Sequence, residues 1–221
     1  MKKFFTLSLI LIMLIAATPA KKTKILFFGD SITQMGVNKG GYIDKINKYL
    51  TDKGLDKKYE LIGAGIGGNK VYDLYLRMED DVLAKKPDVV AIYVGINDVW
   101  HKTSGVGTDI KKYETFYVAI IKKLQAKKIR VALCTPTVIG EKKDNGNAQD
   151  ADLNAYSDVV RRLATTYNCA LVDLRKAFAD YEQANNTSNK ESGVLTTDRV
   201  HLNDAGNQLV ADEMIKGLSI Q

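Results

Sequence analysis

The stretch Lys24-Ile25-Leu26-Phe27-Phe28-Gly29-Asp30-Ser31, continued by Ile32 and Thr33, decides the fold. Ile25 to Phe28 is a short unbroken apolar run, as expected of a strand covered on both faces in the parallel sheet of an α/β protein. Gly29 permits a sharp change of direction, so Asp30 and Ser31 stand where a helix begins. Ligands gather above the carboxyl ends of such strands, which puts the Ser31 hydroxyl where chemistry is expected. Simple capping of the next helix by Asp30 or Ser31 satisfies the same residues, and the rest of the chain has to separate the two readings.

Downstream, the apolar periodicity alternates between helix and strand. Tyr42, Ile43, Ile46, Tyr49 and Leu50 recur at helical spacing up to Gly54. Tyr59 to Ile62 reads as a second strand running into a glycine-rich turn, Gly63 to Gly68. Val71, Leu74, Tyr75, Met78 and Val82 then mark a helix that stops before Pro87. Val89 to Val94 is the clearest strand and ends in Gly95-Ile96-Asn97-Asp98. A loop from Val99 to Gly107, a cap at Thr108 and a helix through Phe116, Tyr117, Ile120, Ile121 and Leu124 follow, then a fourth strand at Ile129 to Cys134. The polar segment Gly140 to Asp150 is the longest loop beside a strand top, a position from which it would gate a site. Leu153, Tyr156, Val160, Leu163 and Tyr167 predict a helix, Ala170 to Leu174 a fifth strand, and Phe178 with Tyr181 a short helix. Asn185 to Thr197 reads as a polar loop, Asp198 to His201 as a tight segment, and Leu209 to Leu218 as the final helix. Strands alternating with helices predict one three-layer α/β/α domain on a five-stranded parallel sheet.

Met1 to Ala20 opens with Lys2 and Lys3, continues apolar from Phe4 to Ala17 and ends in Thr18, Pro19 and Ala20. That is the layout of a secretory signal peptide, cleaved near Ala20; the apolar stretch is shorter than the roughly 20 residues that span a bilayer. The expected product is a secreted or periplasmic chain of residues 21–221, without stable membrane insertion. About 200 residues suffice for a single domain with a sizeable core. The formal charge of +6 is spread among acids along helical stretches, so nucleic acid is not the expected partner. Nothing in the sequence sets an oligomeric state. Cys134 and Cys169 fall at opposite ends of neighbouring strands, beyond the ~7 Å Cα separation a disulfide tolerates, which predicts two free, buried thiols. Asn185-Asn186-Thr187 and Asn186-Thr187-Ser188 fit the glycosylation pattern, relevant only to a eukaryotic secretory pathway.

Gly29-Asp30-Ser31, Gly65 to Gly68 and Asn97 each follow a strand and converge on one edge of the sheet, and Asp198 and His201 join them from near the C-terminus. Ester cleavage needs that set. A serine hydroxyl is a weak nucleophile until a base takes its proton, the base needs an orienting acid, and the tetrahedral intermediate needs donors. Only His101 and His201 are available as bases, and Asp198 stands three residues before His201. The N–H groups of Ser31 and Gly68 and the amide of Asn97 are candidate oxyanion donors. Each block alone has a bland alternative in a turn, a cap or a loop fastener. Asp30, Trp100 and His101 are candidate substrate contacts; Trp100 either stacks on a sugar ring or packs beneath its own loop, and His101 either lines the pocket or is an ordinary loop residue.

These four blocks resemble those of the SGNH hydrolases, also called the GDSL lipases and esterases. Gly29-Asp30-Ser31-Ile32-Thr33 matches the first block, Gly68 within Gly63-Ala64-Gly65-Ile66-Gly67-Gly68-Asn69 the second, Gly95-Ile96-Asn97-Asp98 the third and Asp198-Arg199-Val200-His201 the last. The resemblance spans Lys24 to Leu218; Ile32-Thr33 replaces the leucine of the family name. It implies a flavodoxin-like strand order, a Ser31/His201/Asp198 triad, and neither metal nor cofactor; the residues themselves offer no metal cluster. The family includes carbohydrate acetylesterases, lysophospholipases, thioesterases and arylesterases. The expected activity is hydrolysis of short acyl, chiefly acetyl, esters on a small-molecule or polysaccharide substrate, because no lid domain and no long exposed apolar segment exist to hold a fatty chain. The alternatives are a lysophospholipase or thioesterase, an inactive glycan-binding module of the same fold, and a phosphate site at the first helix N-terminus.

Overall fold

The computed structural model describes residues 21–221; the leader expected at Met1 to Ala20 lies outside the described residues. Strands β1 (Thr23–Gly29), β2 (Tyr59–Gly65), β3 (Val89–Tyr93), β4 (Arg130–Cys134) and β5 (Ala170–Val172) form one parallel sheet in the order β2-β1-β3-β4-β5. This is the flavodoxin-like order, with its switch point between β1 and β3. Helices α1 (Ser31–Gly36), α2 (Tyr42–Asp52) and α8 (Asp204–Gly217) pack on one side, and α3 (Val71–Asp81), α5 (Ile110–Ala126) and α6 (Asp150–Thr166) on the other. The short α4 (Ile96–Trp100) tops β3, and α7 (Leu174–Asn185) packs beside α8.

The central strands are apolar throughout because both faces are covered. Along β1, alternation sends Phe27 against Tyr42 of α2, ring centroids 5.7 Å apart, while Phe28 on the opposite face lies under the Arg77 guanidinium of α3 at 4.5 Å. Leu26, Phe27, Phe28, Val90, Ala91 and Ile92 are fully buried.

Several boundaries differ from the sequence reading, each for a physical reason. β2 runs on through Gly63, Ala64 and Gly65, which pair with Phe27, Phe28 and Gly29; a Cβ on Gly63 would lie 2.3 Å from Val37 Cγ1, so this glycine makes room for the loop above the sheet. The expected loop at Val99 to Gly107 is largely helical, as the end of α4 and a 3₁₀ turn at His101–Ser104. Asp109, not Thr108, caps α5, its carboxylate accepting from the N–H groups of Lys111 and Lys112. β5 stops at Val172 because Asp173 caps α7 immediately afterwards, and α7 is a full helix of 12 residues. Asn203 caps α8, so the last helix begins at Asp204, several residues before its apolar face. Cys134 and Cys169 are both free; Cys134 is buried, but Cys169 is only half-buried. Asn186 is buried with its amide donating to the carbonyls of Glu141 and Lys190, which closes the second glycosylation pattern to modification in the folded chain.

Candidate active site

The top of β1 is built around the absence of a side chain. A Cβ on Gly29 would lie 2.3 Å from Thr33 Oγ1 and 2.4 Å from the Tyr93 carbonyl, so only glycine lets β1 turn into α1 against β3. Asp30 caps α1, its Oδ1 accepting from the Ile32 N–H at 3.0 Å. Ser31 is then the first residue of α1, half-buried, and its N–H has no partner among the described residues, as expected at a helix start.

The loop after β2 passes directly beside the serine. A Cβ on Gly67 would stand 3.9 Å from Ser31 Cβ. The Gly67 N–H donates to Gln34 Oε1 at 2.9 Å, and Gly68 takes φ +76°, where a side chain would be strained. Three further groups fasten this loop. Arg77 Nε donates to Asn69 Oδ1 at 2.7 Å, and its Nη2 donates to the carbonyls of Gly29 and Ala64. Asn97 Nδ2 donates to the Asn69 carbonyl at 3.1 Å. The fully buried Asp98 carboxylate accepts from the Val71 N–H at 3.2 and 3.3 Å. Asn97 has a second amide hydrogen, so holding the loop leaves it one donor to spare.

Asp198 and His201 arrive on a tight hairpin between α7 and α8. Thr196 and Leu202 form an antiparallel bridge, and the Thr197 N–H donates to the His201 carbonyl. Within it the Asp198 Oδ1 accepts from the N–H groups of Val200 and His201 at 3.1 and 2.8 Å. Asp198 Oδ2 and His201 Nδ1 are 2.7 Å apart, and His201 Nε2 and Ser31 Oγ are 3.0 Å apart. Residues 170 apart in sequence thus meet in one hydrogen-bonded chain. Burial works against ionisation of Asp198, but the hydrogen bonds from the His201 ring and from the His201 and Val200 N–H groups outweigh it and hold its pKa below the ordinary value.

A residue the sequence reading passed over suspends this hairpin. Glu141 is fully buried; its Oε2 accepts from the Val194 N–H at 2.7 Å, and its Oε1 from the N–H groups of Leu195, at 2.8 Å, and Thr196. Gly140 N–H donates to the Arg199 carbonyl and Glu141 N–H to the Glu191 carbonyl. The segment expected to gate the site is therefore stitched, at its start, to the loop that carries Asp198 and His201. Next to it Glu182 is buried, and burial together with the Glu141 carboxylate pushes its pKa up to about 8. A charged side chain in a loop of mixed polarity carries no sequence signal for this role.

The three candidate substrate contacts divide. Asp30 is 2% exposed and turned into the protein; the expectation that it touches substrate is corrected, since its carboxyl caps α1, and burial raises its pKa to about 7. Trp100 is half-buried: it packs against the core, one of the two arrangements weighed for it, and its ring stands edge-on to His201 with centroids 6.4 Å apart. His101 is half-exposed beside Trp100, centroids 5.8 Å apart, and burial, reinforced by the Lys70 charge, lowers its pKa. Among the described residues no three His, Cys, Asp or Glu side chains are placed to hold a metal ion, and no helix is long and apolar enough to cross a membrane.

Residues 27–209 match the model of the GDSL-like lipase/acylhydrolase family. The chain is 60% identical to a crystallised acetyl xylan esterase, AlAXEase, covering 90% of this chain and 100% of that one with a TM-score of 0.87. It is 30% identical to an acetylxylan esterase of Geobacillus stearothermophilus over 90% of this chain and 94% of the relative. Crystal structures of that organism's acetylxylan esterase superpose with TM-scores of 0.78 to 0.79 and include catalytic mutants at a serine, an aspartate and a histidine, the last two three positions apart. An uncharacterized lipoprotein of Bacillus subtilis (strain 168) is 27% identical over 73% of this chain and 74% of its own length.

Proposed function

The chain belongs to the GDSL-like lipase/acylhydrolase family, and from that premise we propose that it is an exported serine esterase removing acetyl groups from carbohydrate, with O-acetylated xylan-type polysaccharide as the substrate class. The single observation that carries the reading is the unbroken chain of contacts from Ser31 Oγ through His201 to Asp198, at 3.0 and 2.7 Å.

In this reading His201 Nε2 takes the Ser31 proton as Oγ attacks the ester carbonyl. The carbonyl oxygen, now an oxyanion, accepts hydrogen bonds from the Ser31 and Gly68 N–H groups and the free amide hydrogen of Asn97. His201 returns the proton to the departing sugar hydroxyl, which leaves Ser31 acetylated. Water, deprotonated by the same imidazole, then attacks the acyl carbonyl and releases acetate, and the proton goes back to Ser31. Asp198 stays ionised throughout and fixes the imidazole with its Nδ1 proton inward and Nε2 free to accept. Trp100, beside His201, offers the apolar wall on which a sugar ring or acetyl methyl rests. That relatives of this chain are named acetylxylan esterases supports acetyl rather than a longer acyl group as the one removed.

Ser31→Ala should lower hydrolysis of 4-nitrophenyl acetate by roughly 10⁴-fold or more and abolish labelling by a fluorophosphonate. Across a series of 4-nitrophenyl esters kcat/KM should be greatest at two carbons, and acetate should be released from acetylated xylo-oligosaccharides. A maximum at eight or more carbons would favour the lysophospholipase or thioesterase alternative. Full activity in the Ser31 variant would end the mechanism.

A further inference from the structure

The edge of the sheet opposite the active site carries a pattern with no part in ester cleavage. A Lys-Lys pair stands just ahead of each of the four adjacent strands: Lys21-Lys22 before β1, Lys57-Lys58 before β2, Lys85-Lys86 before β3 and Lys127-Lys128 before β4. All eight are exposed. Scattered along the sequence, they read as solvated helix ends; the topology gathers them. Because the four strands are parallel and adjacent, all four doublets stand at one edge of the sheet, and the Thr23 N–H donates to the Lys58 carbonyl beside Lys22. Parallel strands lie ~4.8 Å apart, so four adjacent strand starts span about 15 Å. Lys86 and Lys127 line the same open hollow, of about 590 Å³. The row ends at β5, which is preceded by Asn168 and Cys169.

Carboxylates offset only part of this charge. Among the described residues only Lys21 of the eight has an ion-pair partner, Asp88 at 3.0 Å. Asp56 and Glu60 lie in the same turns; Glu79 and Asp80 line the hollow beside Lys86, and Glu79 is engaged by Lys123. Helix dipoles account for part of the pattern, since cations are favoured where α5 ends. They do not explain Lys86 and Lys128, which sit at φ +50° and +60°, positions where glycine or asparagine is the relaxed choice.

We propose that this row docks a linear acidic polysaccharide, one carrying carboxylates along its length. A chain extended across the sheet edge would meet a cation at each strand, and mobile surface lysines suit a hydrated polymer of irregular sequence. The row is ~20 Å from Ser31, the length of β1, so a docked chain leaves the catalytic edge open to neighbouring chains. None of the large exposed apolar residues, Met35, Val37, Ile66, Leu76, Val106 and Leu171, lies among the doublets, and Tyr59, the aromatic next to Lys58, is half-buried with its hydroxyl donating to the Gln221 carbonyl. A membrane that needs apolar insertion, or a single-stranded nucleic acid that needs stacking, fits this face less well. The identity of the polymer rests on the carbohydrate reading above; the existence of the docking face does not.

Affinity electrophoresis in gels containing polygalacturonate tests this, with neutral dextran gels as control. The wild type should be retarded by polygalacturonate at low ionic strength and released by added salt. The variant carrying Lys22→Gln, Lys58→Gln, Lys86→Asn and Lys127→Gln should bind about tenfold more weakly or worse while hydrolysing 4-nitrophenyl acetate at the wild-type rate. Asparagine at position 86 keeps the left-handed turn relaxed. Equal mobility of wild type in both gels, or undiminished retardation of the variant, would overturn the docking face. Stronger binding to phosphatidylglycerol vesicles or to poly(dT) than to polygalacturonate would overturn the choice of partner. The acetyl-ester assay reports separately on the catalytic reading, so its failure cannot be mistaken for failure of the row.

Discussion

The two halves of the proposed active site are held by different means. Ser31, Gly68 and Asn97 stand on the ends of β1, β2 and β3 and are placed by the sheet and by tight backbone approaches, such as Gly29 against the Tyr93 carbonyl. Asp198 and His201 ride on a hairpin with no strand beneath it, suspended from the buried carboxylate of Glu141 through three backbone N–H groups. The serine half inherits its precision from packing. The histidine half depends heavily on one side chain, more than fifty residues away in sequence, besides the buried Leu195 and Val200 and the backbone bonds from Gly140 and Glu141, and a carboxylate shared by three donors is costly to replace because those of Leu195 and Thr196 are buried.

The serine half should show the larger catalytic penalty for the smaller structural change. Asn97→Ala removes the spare amide donor and the hydrogen bond to Asn69, and it should lower kcat by about 10²–10³-fold with KM little altered. The melting temperature should fall modestly, because Arg77 and Asp98 still grip the loop. Steady-state kinetics beside calorimetry check this. A collapse in stability with per-folded-molecule kcat preserved would reduce Asn97 to a fastener.

In the histidine half the order should reverse, stability suffering along with rate. Glu141→Gln keeps the shape but turns an acceptor oxygen into an amide donor facing a backbone N–H. It should cost about 1–3 kcal/mol and lower kcat by roughly 10–10²-fold, the scale of a misplacement near 1 Å. KM should hold, and fluorophosphonate labelling of Ser31 should slow in parallel, since labelling also needs the imidazole in place. Measured well below the melting temperature, unchanged labelling would leave Glu141 a purely structural group.

This contrast also sets how far the sequence could be read. The parallel sheet and the meeting of Ser31, His201 and Asp198 are legible because each depends on local signals: an apolar run, a glycine where backbones crowd, a short spacing between acid and base; the strand order is legible only through the family resemblance. Glu141 and Arg77 are not legible. Their partners are backbone groups distant in sequence, and nothing in the surrounding residues distinguishes a lysine-flanked glutamate in a polar loop from a solvated one. Asp30 belongs with them, since a polar residue beside a candidate nucleophile resembles a ligand contact until its burial, at 2% exposure, is known. α8 begins ahead of its apolar face because Asn203 caps it, and β5 ends at Val172 because Asp173 caps α7 directly afterwards.

The gentlest probe of the same contrast is pH. Burial, reinforced by the nearby Asp98, raises the Asp30 pKa from the ordinary 3.8 to about 7, so between those values the folded protein keeps a proton that the unfolded chain has released. Stability therefore falls as pH climbs through that window and levels off above about 7. Asp198 behaves oppositely: its pKa is lowered on folding, so its contribution is present above the ordinary aspartate value and is lost only as pH falls through the folded value. Between pH 5 and 7 Asp30 should thus respond and Asp198 should not. The melting temperature of the wild type should rise as pH is lowered from 8 to 5, with Glu182, raised to about 8, and Asp98, raised to about 6, adding to the slope. Asp30→Asn keeps the oxygen that caps Ile32 and removes the titration, so it should flatten the rise by its own share. Calorimetry across that range on the wild type and this variant decides it; an identical slope in the two would mean that the Asp30 carboxyl stays ionised in the folded protein and that burial at the top of β1 is less complete than its 2% exposure implies.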